Sequence, residues 1–220
     1  MTTSPPIPAP FLFRFRFCIR RRAALPKAGP TPLSLGTACR LPQPATLGGQ
    51  SSFAEIRMAW NNKGLGISAE IRNKQIAVAS DPQRPTETDG LQLWIDTRDT
   101  QNIHRASQYC HHLCVLPAPT HQPQADPLLI QQPIARAKRE APAISSQQTR
   151  VATRHYPDGY RVELWLDAAD LHGFDPEANP RLGFYYLVRD RELGEQFLSV
   201  EHDFPFAFDP SVWSTIELSS

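Results

Sequence analysis

The stretch Asp89-Gly90-Leu91-Gln92-Leu93-Trp94-Ile95-Asp96-Thr97-Arg98-Asp99 decides the fold. Leu91, Leu93 and Ile95 alternate with Gln92, Trp94 and Asp96. That is the period of two that gives a strand one apolar and one mixed face. Asp89-Gly90 ahead of it is a turn signal, and a polar run follows.

Strands of the same kind flank it. Residues 53–60 alternate, Asn61-Asn62-Lys63-Gly64 reads as a turn, and Leu65, Ile67, Ala69 and Ile71 face one way, which predicts a hairpin. Residues 107–116 alternate next, and Pro133 places a short strand within 128–137 at an edge. A second hairpin is expected over residues 150–166, turning at Pro157-Asp158-Gly159. A short helical turn stops at Gly173, and strands follow near 182–189, 196–200 and 212–218. About ten short strands joined by turns predict an all-β chain built as an antiparallel β-sandwich, jelly-roll-like, with one helical turn.

Composition agrees. Proline stands at 22 of 220 residues, about twice its usual ~5%, which demands many loops and strand edges. The formal net charge is +1, so no global field favours nucleic acid or an acidic membrane as partner. No apolar run approaches the ~20 residues of a membrane helix. Four cysteines (Cys18, Cys39, Cys110 and Cys114) form no disulfide framework. Residues 1–10 read as a disordered tail, and 11–220 as a single sandwich domain with a Pro-rich, disordered loop at 117–127. In residues 11–22 phenylalanines alternate with Leu12, Arg14, Arg16 and Cys18, which predicts an edge strand with a solvated arginine face. Arginines interrupt the apolar run and follow it, so no signal peptide is recognised and the expected location is cytoplasmic unless the start is misassigned.

Several segments, in order, resemble carbohydrate-binding module family 9 and the related DOMON-like sandwiches. They are the hairpin from Met58-Ala59-Trp60 to Gly66-Ile67, Asp89 to Asp96, Ser107-Gln108-Tyr109, Gly159-Tyr160-Arg161-Val162-Glu163-Leu164-Trp165-Leu166, Arg181-Leu182-Gly183-Phe184 with Arg189-Asp190, and Asp209-Pro210-Ser211. The likeness spans residues 53–218. It implies a non-catalytic antiparallel sandwich that binds sugars. Family members clamp a sugar ring between two tryptophans, and the matching positions here are Thr86 and Ala207. The family's glutamate on the central strand is matched by Gln92, and its arginine on the next strand by Cys110. A sugar site would therefore rest on other aromatics: Trp60, Trp94, Trp165, Phe206, Phe208 or Trp213.

The ligand-binding candidates are Trp94 and Trp165, with Gln92 and Glu163 beside them on the mixed strand faces, and Arg189. An aromatic face takes the C–H side of a sugar while polar neighbours take its hydroxyls. The competing reading buries both tryptophans in the core, leaving an interaction sandwich without a ligand. Arg105 is a weaker candidate. Asp89, Asp96, Asp99 and Asp190 offer oxygen ligands for calcium, against the commoner role of carboxylates capping turns. No other cofactor is expected. In Cys110-His111-His112-x-Cys114, strand geometry puts Cys110, His112 and Cys114 on one face, too far apart for unstrained zinc, and buried cysteine is the favoured reading. A haem would need Met58 or His112 as an axial ligand, and nothing singles them out. Glu163 and Asp167, four residues apart at a strand end, are the carboxylate pair available for glycosidase chemistry, which needs carboxyls about 5–9.5 Å apart around a cleft. No nucleophile elbow, phosphate loop or dinucleotide motif is present, so the chain is not expected to be an enzyme.

Overall fold

Leu91, Leu93 and Ile95 do share one buried side of a strand, and the rest of the chain is laid out around it. The structure, a computed structural model, describes residues 9–122 and 124–219. The tail expected over residues 1–10 falls outside them for residues 1–8. Eleven strands appear: β1 (Arg16–Arg21), β2 (Ala54–Asn61), β3 (Gly64–Arg72), β4 (Gly90–Asp96), β5 (Cys110–Leu116), β6 (Leu128–Gln132), β7 (Arg150–Tyr156), β8 (Gly159–Asp167), β9 (Arg181–Asp190), β10 (Gly194–Phe197) and β11 (Ser214–Ser219). The remaining elements are short 3₁₀ turns. No helix among the described residues is long and apolar enough to cross a membrane.

The strands run in the order β6-β5-β4-β9-β11-β1-β2-β3-β8-β7, with β10 added on β9. β1 joins the two layers. It pairs with β11 through Arg16 to Arg20 and with β2 only through Arg20 and Arg21, so the sheet turns over at its end. Both of those pairings are parallel, and all the others between strands are antiparallel. A parallel neighbour needs a long connection, which residues 22–53 supply. Trp60 locks the junction: its indole N–H lies 3.2 Å from the Ile19 carbonyl and 3.0 Å from that of Ser219.

The alternation predicts the core correctly. Leu65, Ile67, Ala69 and Ile71 of β3 lie opposite Leu166, Leu164, Val162 and Tyr160 of β8, all buried. They face Leu91, Leu93, Ile95, Leu113, Val115, Phe184 and Tyr186 of the other layer within one cluster. The first hairpin closes on Asn62-Lys63, and Gly64 (φ +149°) must be glycine, because a Cβ there would lie 2.1 Å from the Leu166 carbonyl oxygen.

Three expectations change. The N-terminal strand is not an edge strand, because it is paired on both sides, with β11 and with β2. The N-terminal strand begins at Arg16, not at Phe11, because Thr215 N donates to the Phe15 carbonyl and β11 offers no partner further upstream. Phe11 belongs to a 3₁₀ turn over Ala9–Leu12, and Phe13 precedes the strand. In the Pro-rich segment 117–127, Thr120 is tied to Val78 by two hydrogen bonds, N–H to carbonyl at 3.0 Å and hydroxyl from N–H at 3.1 Å. Residue 123 lies outside the described residues.

Candidate functional site

The alternation that buries Leu93 sends its neighbours outward. On the outer face of the first layer, Trp94 lies between His112 of β5 and Tyr185 of β9, and Gln92 between Cys114 and Leu187. Trp94 stacks on His112 with ring centroids 4.3 Å apart and planes 11° from parallel. It meets Tyr185 and Phe206 edge-on, at 5.9 and 5.4 Å. Phe206 in turn stacks on Tyr185 at 4.7 Å. Such offset and edge-to-face contacts contribute about 0.5–1.5 kcal/mol per pair beyond area.

The segment after β10 covers this stack and is held by main-chain oxygens. Trp94 Nε1 donates to Ala207 O at 3.2 Å, Trp213 Nε1 to Phe206 O at 2.7 Å, and the Tyr185 hydroxyl to Val200 O. Gln92 Nε2 donates to Thr86 O at 3.1 Å, and its Oε1 lies 3.3 Å from His112 Nε2. His112 is neutral near pH 7, with Nε2 directed at the Gln92 amide oxygen. Burial pushes the pKa of His112 down to about 4. Thr86 and Ala207, the two positions matched to the family's clamp, are thus bonded through their carbonyls to Gln92 and Trp94. Arg189, on the same face of β9, is half-buried and ion-paired with Glu195, which also takes His202 at 2.8 Å.

Trp165 and Glu163 lie elsewhere, on the outward face of the second layer. Ala59, Gly66 and Trp165 form one row across β2, β3 and β8. The two small residues leave a trough beside the indole, and Leu25, Leu33, Leu35 and Cys39 fill it. Leu33 comes so close that a Cβ on Gly66 would lie 2.8 Å from its methyl. Glu163 accepts the Leu33 N–H at 3.0 Å. The five ligand candidates therefore divide: Trp94, Gln92 and Arg189 share one face, while Trp165 and Glu163 anchor the segment leading into the sandwich on the opposite one. Trp94 is 2% exposed and Trp165 0%, so neither indole has an open face on which a ring could lie.

The remaining candidates resolve in the same way. Asp89 and Asp190 sit side by side at one end of β4 and β9, and Lys74 Nζ lies 2.8 Å from Asp190 and 3.4 Å from Asp89. An internal ammonium thus fills the place a cation would take. Asp96 and Asp99 stand at the other end of β4, about 23 Å away by strand rise. Asp96 accepts from Arg98 N and Thr100 N, a turn cap, so the four carboxylates do not converge. Among the described residues no three His, Cys, Asp or Glu side chains could hold a metal. Burial raises Cys110 and Cys114 to about 12, keeping them as thiols. His111 points inward with neither ring nitrogen hydrogen-bonded. Met58 is in the core, on the other layer from His112. Arg105 donates to the Arg136 carbonyl at 2.7 Å. Asp167 caps a turn through Ala169 N, and Glu163 is buried, so this pair frames no cleft. Sequence reading missed Lys74 and His112 as partners. Lys74 lies two residues past the end of β3 and His112 sits on the strand beside Trp94, and nothing local signals either contact.

No family model matches the chain, and no curated protein does. Among solved structures it is similar to a carbohydrate binding module family 9 (CBM9) from Caldicellulosiruptor kristjanssonii in complex with cellotriose, at TM-score 0.62 and 14% identity over 94% of each chain. The same organism's module in complex with glucose gives TM-score 0.62 and 14% identity, over 94% of this chain and 96% of that one. The chain shares the fold of these modules.

Proposed function

We propose that this chain is a non-catalytic carbohydrate-binding domain that holds a sugar at the rim of the Trp94 stack. The supporting observation is the shared sandwich fold, over nearly the full length of both chains, with modules solved in complex with glucose and cellotriose. The matched positions Thr86 and Ala207 flank Gln92 and Trp94 on that fold. In this reading Trp94 and Gln92 brace the rim from below. Arg189, Thr86 and the exposed Ala207 meet the ligand, and the sugar's hydroxyls compete for Arg189 with Glu195. Trp165 and Glu163 hold the leading segment and do not touch ligand.

The test is titration calorimetry with glucose and cellotriose. Wild type is expected to bind weakly and Arg189→Ala at least tenfold more weakly still. Thr86→Trp with Ala207→Trp, which rebuilds the two aromatic clamp positions, is expected to bind at least tenfold more tightly. If neither wild type nor the double variant takes up either sugar, the reading fails. A second reading, an interaction sandwich without a sugar site, is favoured by one observation: all four tryptophans are buried, Trp60 at 7%, Trp94 at 2%, Trp165 at 0% and Trp213 at 3% exposure.

A further inference from the structure

Ahead of β1 the chain crosses the end of the first layer and leaves a groove of about 620 Å³, the size of a small-molecule site. Phe11, Phe13 and Phe15 line it together with Gln101, Asn102, His104 and Trp213. Phe13 is 59% exposed, and Phe11, stacked on Phe204 at 4.3 Å, is 46% exposed. Exposed aromatic rings in one groove with amide and imidazole hydrogen-bonding groups suit a ligand with both C–H and hydroxyl faces.

The polar groups are already oriented. The Gln101 amide nitrogen donates to Asp99 at 2.6 Å and Thr215 at 3.1 Å, which turns its carbonyl toward Arg14 Nη1 at 3.4 Å. Arg14 has no carboxylate within salt-bridge distance among the described residues; a neutral amide is its partner. His104 Nδ1 is shared by Asp209 (3.0 Å) and Ser211 (3.2 Å), which leaves Nε2 free to accept a hydroxyl. Burial opposes ionisation of Asp209, but hydrogen bonds from Ser211 and His104 outweigh it and hold the carboxyl below its ordinary range. Serine and aspartate meet the same ring nitrogen, so no proton relay of the hydrolase kind can form, and the trio points to binding.

We propose that this groove is a binding site for an acidic sugar, with the uronate carboxylate on Arg14, a ring face on Phe13 and a hydroxyl on His104. The site is separate from the Trp94 rim and shares no residue with it.

Trigalacturonic acid and cellotriose, titrated into the whole chain by calorimetry at low and high salt, distinguish the two sites. Trigalacturonate is expected to bind, to weaken with salt, and to lose at least tenfold in affinity in Arg14→Gln and in Phe13→Ala, two exposed positions. Unchanged affinity in Arg14→Gln would overturn the proposal. So would trigalacturonate affinity that follows Arg189→Ala, which would assign the acid sugar to the rim. Dependence on Arg14 with no cellotriose binding in any variant would keep this site and sink the rim reading. Cellotriose sensitive to Arg189 with no trigalacturonate bound would do the reverse.

Discussion

Trp94 and Trp165 occupy equivalent local settings. Each stands mid-strand, outward-facing, one alternation step from a polar side chain, Gln92 or Glu163. Each is buried, by different means. Trp165 lies under three leucines and a cysteine that fill a trough opened by Ala59 and Gly66, and its polar neighbour is used up on a backbone N–H. Trp94 is covered by other rings and by a segment whose carbonyls it grips, and its surroundings stay polar at the edge, with Arg189, Glu195 and His202. An outward tryptophan therefore does not indicate an open platform by itself. What lies over it depends on a distant segment, an aliphatic one over Trp165 and an aromatic one over Trp94.

The sharpest way to break this contrast is Trp165→Ala. Emptying a fully buried indole site is expected to cost about 3–5 kcal/mol, and the leading segment 25–39 should become open to protease. A urea midpoint shift read beside limited proteolysis checks both. If the segment stays protected, the trough is not what holds it.

A second test concerns the histidines. Burial drives His111 and His112 to about 4, against 6.5 for a free imidazole. The unfolded chain then takes up protons first as pH falls, so stability is full above about pH 6.5 and is lost toward pH 4. The loss is about 3 kcal/mol per histidine at most. Asp96 and Asp99 act oppositely, since burial raises their carboxyls and the folded state protonates first. Urea midpoints at pH 7, 5.5 and 4.5 should fall in wild type and fall less in His112→Gln. Equal slopes would mean that His112 is not the neutral, buried partner of Trp94 described here.

The smallest expected effect is at Glu163. Glu163→Ala strands the Leu33 N–H and should cost about 1–3 kcal/mol. Glu163→Gln keeps an acceptor and should cost less. Equal losses in the urea midpoint would mean that charge, and not the hydrogen bond to Leu33, is what matters there.

Much of this was legible in the sequence. Alternation identified the strands from Phe53 onward, both hairpins and the inward residues, because pleating ties side-chain direction to position parity and needs no knowledge of the rest of the chain. It failed at Phe11 and Phe13, where the same alternating pattern continues but no partner strand exists to pair with. The site was less legible. Parity put Gln92 beside Trp94 and Glu163 beside Trp165, but it could not say that the two pairs lie on different layers or that Arg189 shares the face of the first.

What the sequence alone determined is therefore which way each side chain points. What only tertiary structure decided is what each one meets: that leucines from a proline-rich connection cover Trp165, that Lys74 stands between Asp89 and Asp190, and that Arg14 and His104 line one groove. The physical reason is range. Side-chain direction is set by the dihedral geometry of adjacent residues, whereas cover, charge pairing and concavity depend on segments separated by tens to hundreds of residues, whose meeting is fixed only when the two layers close.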